Sequence, residues 1–139
     1  AFRSTVRRFV ESEINPHVEA WETARLWPAH QLLKKMGDLG LLGLSYPEAY
    51  GGGGVDYWYN VVLLEELGRT DCAAVPMGIA VHTDMATPAL AEFGSEGLKR
   101  RFLVPAIAGE MVAAIGVSEL IVSGGLMEIR AIAEVPKAL

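Results

Sequence analysis

The stretch Leu39-Gly-Leu-Leu-Gly-Leu-Ser-Tyr-Pro-Glu-Ala-Tyr-Gly-Gly-Gly-Gly54 decides how this chain is read. Six of its sixteen residues are glycine. A glycine inside a helix or strand gives up conformational entropy with no side-chain packing in return, so no regular element accommodates that density. Pro47 pushes Tyr46 toward extended geometry, which makes Ser45-Tyr46-Pro47 an ordered turn rather than the continuation of a helix. The composition describes a buried loop between two helices.

On its C-terminal side, Tyr57 to Leu67 reads as an apolar helix, with Asp56 placed as its N-cap. Tyr57, Val61 and Leu64, with Trp58 and Val62 one turn round, predict a broad apolar face and a helix central to the bundle. On the N-terminal side, Pro28 suits the first turn of a helix whose stripe is Leu32, Leu33, Met36 and Leu39, and Gly40 stops it. Further back, Phe2, Val6, Phe9, Val10 and Ile14 fall at helical spacing with charges between them. Asn15-Pro16 ends that helix, or kinks it into a second short one carrying Val18 and Trp21.

Gly68 closes the apolar helix, and Thr70-Asp71 opens a helical stretch from about Cys72 to Phe93. Pro76 fits its first turn, while Pro88 kinks or splits it. Gly94-Ser95 stops and restarts the chain, with Ser95 capping Glu96 to Leu103, and Pro105 breaks that helix. Met111 to Ser118 is short, apolar and rich in small residues, and reads as a strand. Apolar residues from Val104 to Met127 have little chain around them, which predicts exposed apolar surface and self-association.

With 139 residues, 51% of them hydrophobic, the chain can bury a sizeable core as one domain or one domain plus an appendage. The net charge is −5, and basic residues adjoin at Arg7-Arg8, Lys34-Lys35 and Lys99-Arg100-Arg101, three short runs scattered along the chain. That excludes the concentrated basic face of a nucleic-acid binder. A single cysteine, Cys72, leaves no internal disulfide and suits a reducing compartment, and no His, Cys or Asp cluster suggests a metal. Charges run through the apolar positions of Ala1 to Glu13, unlike a signal peptide. Phe102 to Met127 is apolar, but Glu110, Glu119, a proline and glycines interrupt it, so it does not read as a membrane span.

Five motifs, FVESEINPHVEAWE, LLKKMGDLGLLGLSYPEAYGG, LLEELGR, FGSEGLKRRFLVPAIAGE and AAIGVSE, follow one another between Phe9 and Glu119. In that order they resemble successive signatures of the acyl-CoA dehydrogenase family of flavoproteins, the likeness covering roughly Phe2 to Glu119. The resemblance implies an N-terminal helical domain, a middle β-domain and a C-terminal four-helix domain. FAD lies between the last two, and the reaction forms the α,β double bond of an acyl-CoA thioester. For this chain it implies an all-α helical bundle over residues 1–109, a short stub of the middle β-domain over 110–122, and a helical tail over 123–139. Within that tail, Gly124-Gly125 and Glu128-Ile129 faintly echo a motif near the family's C-terminus. The sequence departs after Glu119, where Leu120-Ile121-Val122-Ser123 replaces the family's proline and the glycines and serines that hold flavin. The resemblance further implies a homo-oligomer, an electron-transfer flavoprotein as acceptor, and a bacterial cytoplasmic or mitochondrial-matrix location.

The same resemblance assigns candidate sites. Ile115, Val117 and Ser118 occupy positions that present backbone groups and a hydroxyl to the isoalloxazine ring; an ordinary strand ending in serine is the other reading. Gly78, Val81, His82 and Met85 correspond to the helix laid along the acyl chain. Positions 78, 81 and 85 share a helical face, which makes them either a groove wall with room left by the glycine or bundle core. His82 by itself reads as a hydrogen-bonded core or boundary histidine. Dehydrogenation needs a carboxylate base opposite the flavin, which does the difficult chemistry. Glu119 and Glu128 are the acids near matched motifs, and they read as structural and as helix-surface residues, so no catalytic residue is assigned. The four glycines lack the preceding strand and spacing of a dinucleotide fingerprint. Two functions stand: part of an FAD-dependent acyl-CoA dehydrogenase, or a catalytically silent helical module that docks onto other subunits.

Overall fold

The computed structural model describes residues 1–117 and 129–131. Helix α1 (Phe2–Phe9) continues through a π turn at Val10–Ile14 and a 3₁₀ turn at Asn15–His17 into α2 (Val18–Ala24). Val6, Phe9, Val10, Ile14 and Val18 are buried, as their spacing predicts. Helix α3 (Ala29–Asp38) buries Leu32, Leu33 and Met36, and Gly40 ends it at φ 69°. Leu39, assigned to the same stripe, is exposed instead, because it sits just past the last helical turn.

The glycine loop folds back on itself. Gly53, Gly54 and Val55 donate their N–H groups to the carbonyls of Gly43, Tyr46 and Leu44, each at 2.9 Å. A Cβ on Gly43 would meet Ile107 at 2.7 Å, so this glycine lets the loop lie directly on the later helices. Arg100 pins the other side, donating to the Ala49 carbonyl at 2.8 Å while its guanidinium lies 5.0 Å from the centre of the Tyr50 ring.

The N-cap of α4 (Trp58–Leu67) is Tyr57, one residue later than expected, and the Asp56 carboxylate just before it accepts the Trp58 N–H at 2.9 Å. The buried face of α4 is not the one expected. Leu63, Glu66 and Leu67 point inward, while Tyr57 and Trp58 are 60% and 71% exposed. The cause is electrostatic. Glu66 is 1% exposed, and its carboxylate takes two hydrogen bonds from Arg7, both at 2.9 Å, and one from Arg3 at 2.8 Å. Pairing α1 to α4 through this carboxylate turns the aromatic residues outward. A buried carboxylate stripped of these cations would be strongly disfavoured.

The stretch after α4 forms α5 (Ala74–Ala80), a π turn at Val81–Ala86 and α6 (Thr87–Phe93). Ser95 then caps α7 (Glu96–Leu98), accepting the Leu98 N–H at 3.3 Å; a π turn at Lys99–Leu103 and α8 (Val104–Ile107) follow. Pro105 therefore does not break the helix. Pro16, Pro88 and Pro105 each stand two residues beyond a π turn. A proline removes one helical N–H and its ring crowds the carbonyl four residues back, and a widened turn relieves both problems.

Leu103, Ala106 and Ile107 are buried, so apolar surface begins to be covered earlier than the sequence suggests. Gly109, at φ 71°, turns the chain toward β1 (Ile115–Val117). This strand pairs antiparallel with β2 (Ile129–Ala131), matching Ile115 to Ala131 and Val117 to Ile129. Those three residues of the expected helical tail are thus a strand, held by the ladder that β1 offers. The rest of the tail lies outside the described residues. The architecture is all-α, with this strand pair at its end.

Candidate functional site

An open apolar groove of about 650 Å³ runs between α4 and α5. Its walls are Leu64 and Leu67 on one side and Cys72, Pro76, Met77 and Ala80 on the other. Gly68 ends α4, and the chain passes from it into the turn that borders the groove. Asn15 fixes that turn: its carbonyl oxygen accepts the Asp71 N–H at 3.1 Å, and its amide donates to the Arg69 carbonyl at 3.3 Å. Thr70, also on the wall, holds a buried hydroxyl oxygen without a hydrogen-bond partner among the described residues. Asp71 stands exposed at the rim.

The four acyl-site candidates lie around this groove rather than along it. Gly78 turns to the opposite side, where an added Cβ would come within 2.6 Å of Trp27. Val81 is half-buried one residue beyond Ala80. Met85 is 53% exposed, and His82 is fully buried. Leu64, Cys72, Pro76, Met77 and Ala80, which line the groove, are not among the residues that the resemblance assigns. Part of their signal was present, since 73, 77 and 80 share a helical face; the contribution of α4 was not, because it depends on which side of that helix Glu66 draws inward.

His82 uses both ring nitrogens. Nε2 lies 3.1 Å from the Ala106 carbonyl, and Nδ1 lies 3.0 Å from the Ala113 amide nitrogen. Burial pushes its pKa below the ordinary histidine value. On the backbone side, the π turn frees carbonyls that other groups then satisfy. Thr87 Oγ1 is 2.8 Å from the His82 carbonyl, and the Tyr46 hydroxyl is 3.1 Å from the Thr83 carbonyl and 2.8 Å from Thr87 Oγ1. Burial raises the Tyr46 phenol.

Ile115 is half-buried in β1 and Val117 closes that strand; Ser118 lies outside the described residues. A flavin needs a backbone edge for its ring and donors for its phosphates. The edge available here is three residues long and already paired to β2. The glycine loop supplies no phosphate cradle, since the N–H groups of Gly51 to Gly54 all bond to carbonyls between Gly43 and Glu48. The described residues therefore do not by themselves fit FAD. Nor do they hold a group of three or more His, Cys, Asp or Glu side chains suited to a metal. Among the described residues no helix is long and apolar enough to cross a membrane.

Residues 1–110 match the family model "Acyl-CoA dehydrogenase, N-terminal domain". The mitochondrial isovaleryl-CoA dehydrogenase of Oryza sativa subsp. japonica is 34% identical over 119 residues, which is 85% of this chain and 29% of that protein. Among solved structures, an acyl-CoA dehydrogenase from Geobacillus kaustophilus superposes with a TM-score of 0.73 at 36% identity, over 80% of this chain and 28% of that one. One from Bacillus anthracis, complexed with FAD, gives 0.74 at 29% identity, over 81% of this chain and 19% of that one. The chain thus spans less than a third of the length of these relatives.

Proposed function

Since the chain belongs to the acyl-CoA dehydrogenase family through its N-terminal domain, we propose that it supplies the helical part of an FAD-dependent enzyme that desaturates acyl-CoA thioesters. The observation that carries this reading is the apolar groove between α4 and α5, inside the matched residues. An acyl chain buried there exchanges water for the side chains of Leu64, Leu67, Pro76, Met77 and Ala80, a gain of about 0.8 kcal/mol for each methylene fully covered. Val81 extends the wall toward the π turn. Gly78 contributes from behind, by letting α5 sit close on Trp27.

In this reading, residues 1–109 are the helical domain and residues 110–122 begin the middle domain. The flavin and the carboxylate base are held largely by parts of the enzyme outside the described residues. The oxidation is the flavin's own chemistry, and the role of this chain is to bind, orient and shield the acyl group. By the same family reasoning the enzyme is a homo-oligomer, passes electrons to an electron-transfer flavoprotein, and works in the bacterial cytoplasm or the mitochondrial matrix.

A second reading, a catalytically silent docking module, is favoured by exposed Tyr57 and Trp58 and by the absence of an assigned base. The two separate in a chimera, with residues 1–117 replacing the equivalent segment of the Geobacillus kaustophilus enzyme. The dehydrogenase reading expects a flavin-loaded, active chimera in which Met77→Trp shortens the preferred acyl chain. A folded, flavin-loaded chimera that desaturates no acyl-CoA, or whose chain-length profile ignores Met77→Trp, supports docking alone.

A further inference from the structure

From the two hydrogen bonds of its ring, we infer that His82 is a positioning residue, a neutral clip that fixes where the chain leaves the helical bundle for β1 and opens in acid. A carbonyl oxygen only accepts, so Nε2 beside Ala106 carries the proton. A backbone amide only donates, so Nδ1 beside Ala113 is bare. This single tautomer joins three segments: the π turn at Val81–Ala86, α8 through Ala106, and the approach to β1 through Ala113. No other side chain makes a hydrogen bond to the backbone of residues 111–117 among the described residues. The geometry gives the ring no second arrangement, because a proton on Nδ1 would face the Ala113 N–H, donor against donor.

The Ala106 carbonyl is the contact that favours a charged ring, and burial outweighs it. The elements α5, α8 and β1 contain no titratable side chain, and α6 contains only exposed Glu92. On the π turn itself, Asp84 accepts the Thr83 hydroxyl at 2.5 Å. Glu110 is exposed, and the Tyr46 phenol lies on the carbonyl side of the turn. Burial lowers the pKa of His82, consistent with that setting. The sign follows. Below about pH 6.5 the released ring takes a proton that the docked ring resists, so acid favours release. The inference concerns only how β1 is tethered, and it stands whether or not the groove takes an acyl chain.

Two measurements on the 139-residue chain test it. Nitrogen-15 NMR of the imidazole should report a neutral ring protonated at Nε2, resisting protonation below the ordinary histidine range. Amide exchange at Ala113 is then compared across three variants. Asparagine can place its carbonyl oxygen near the position of Nδ1, whereas glutamine can place its amide near that of Nε2. Protection at Ala113 should therefore survive in His82→Asn and fall by about tenfold in His82→Gln and His82→Leu, the equivalent of one hydrogen bond. As pH is lowered, protection should decline in the wild type and stay level in His82→Asn. A ring that titrates at the ordinary histidine value, or an Ala113 amide unprotected at neutral pH, overturns the inference. So does equal behaviour of the asparagine and glutamine variants. The NMR measurement needs no variant, so a substitution that fails to fold leaves it decisive.

Discussion

Replacing Gly78 with alanine tests how α5 is seated, and with it the shape of the groove. In an unobstructed helix interior this change stabilises by about 0.5–1 kcal/mol, because alanine has less freedom to lose on folding. Here the new Cβ would lie 2.6 Å from Trp27 Cζ2 and 3.4 Å from Cε2 and Cη2. Carbon atoms settle at about 3.5–4.0 Å, so the indole must retreat by roughly an ångström. Overpacking of that kind costs about 1–3 kcal/mol, which leaves a net effect between about zero and 2.5 kcal/mol of destabilisation. For a chain of this size, each kcal/mol lowers Tm by about 4 °C. Trp27→Leu removes the obstacle, and in that background Gly78→Ala should be neutral or stabilising. Urea unfolding of the wild type, both single variants and the double variant closes the cycle, with a coupling energy of about 1–3 kcal/mol expected. A Gly78→Ala protein more stable than the wild type with Trp27 in place refutes the reasoning, since the indole could not then be against the glycine.

Alanine should act in opposite directions at two other glycines. At Gly37 it would collide with the Ala108 backbone and come within 2.8 Å of Gly109 N, whereas at Gly97 nothing lies closer than Ser95 Oγ at 4.0 Å. Thermal melts should fall for Gly37→Ala and hold or rise for Gly97→Ala; equal melts would discount the contact between α3 and the turn after α8. The hydrogen bonds from Arg7 and then Arg3 hold the folded Glu66 carboxyl at about 2, against 4.5 when unfolded. Its contribution is therefore complete above about pH 4.5 and is lost as pH falls toward 2. Acid unfolding followed by circular dichroism should shift to higher pH in Arg7→Met, and an unmoved midpoint would deny the pairing. Because the described residues do not fit FAD, the 139-residue chain mixed with excess FAD and desalted should show no bound flavin absorbance. A stoichiometric yellow complex would overturn that expectation.

Helix ends were legible because their chemistry is local. Asp56, Ser95, Gly40 and the Gly94-Ser95 pair each act within a few residues of where they stand, so reading them needs no tertiary knowledge. The orientation of α4 was not legible. The helix is apolar nearly all round, so its pattern singles out no face, and the choice falls to Arg3 and Arg7, 63 and 59 residues away from Glu66 in sequence. The groove was hidden for the same reason, since Leu64 and Met77 come to line one space only once that choice is made. Met77 and Met85 are alike in sequence terms and both more than half exposed, and the winding between them decides which one borders the groove. His82 as a hydrogen-bonded core residue was foreseeable as a type; its partners Ala106 and Ala113, which carry no distinguishing side chains, were not.

The π turn at Val81–Ala86 bears on how chains of this kind can differ in length. Bonding from i to i+5, it holds a residue more than an α turn would. A single-residue deletion inside it could be absorbed by tightening to α winding, leaving α5 and α6 in place. The same deletion within α5 would swing Met77 and Ala80 off the groove by about a quarter of a turn. Absorbing the deletion has its own consequence, because a tightened turn takes back the carbonyls that Tyr46 and Thr87 now occupy and loosens the glycine loop's hold on the bundle. Lengths of chain along this helix are therefore coupled to a loop some forty residues earlier.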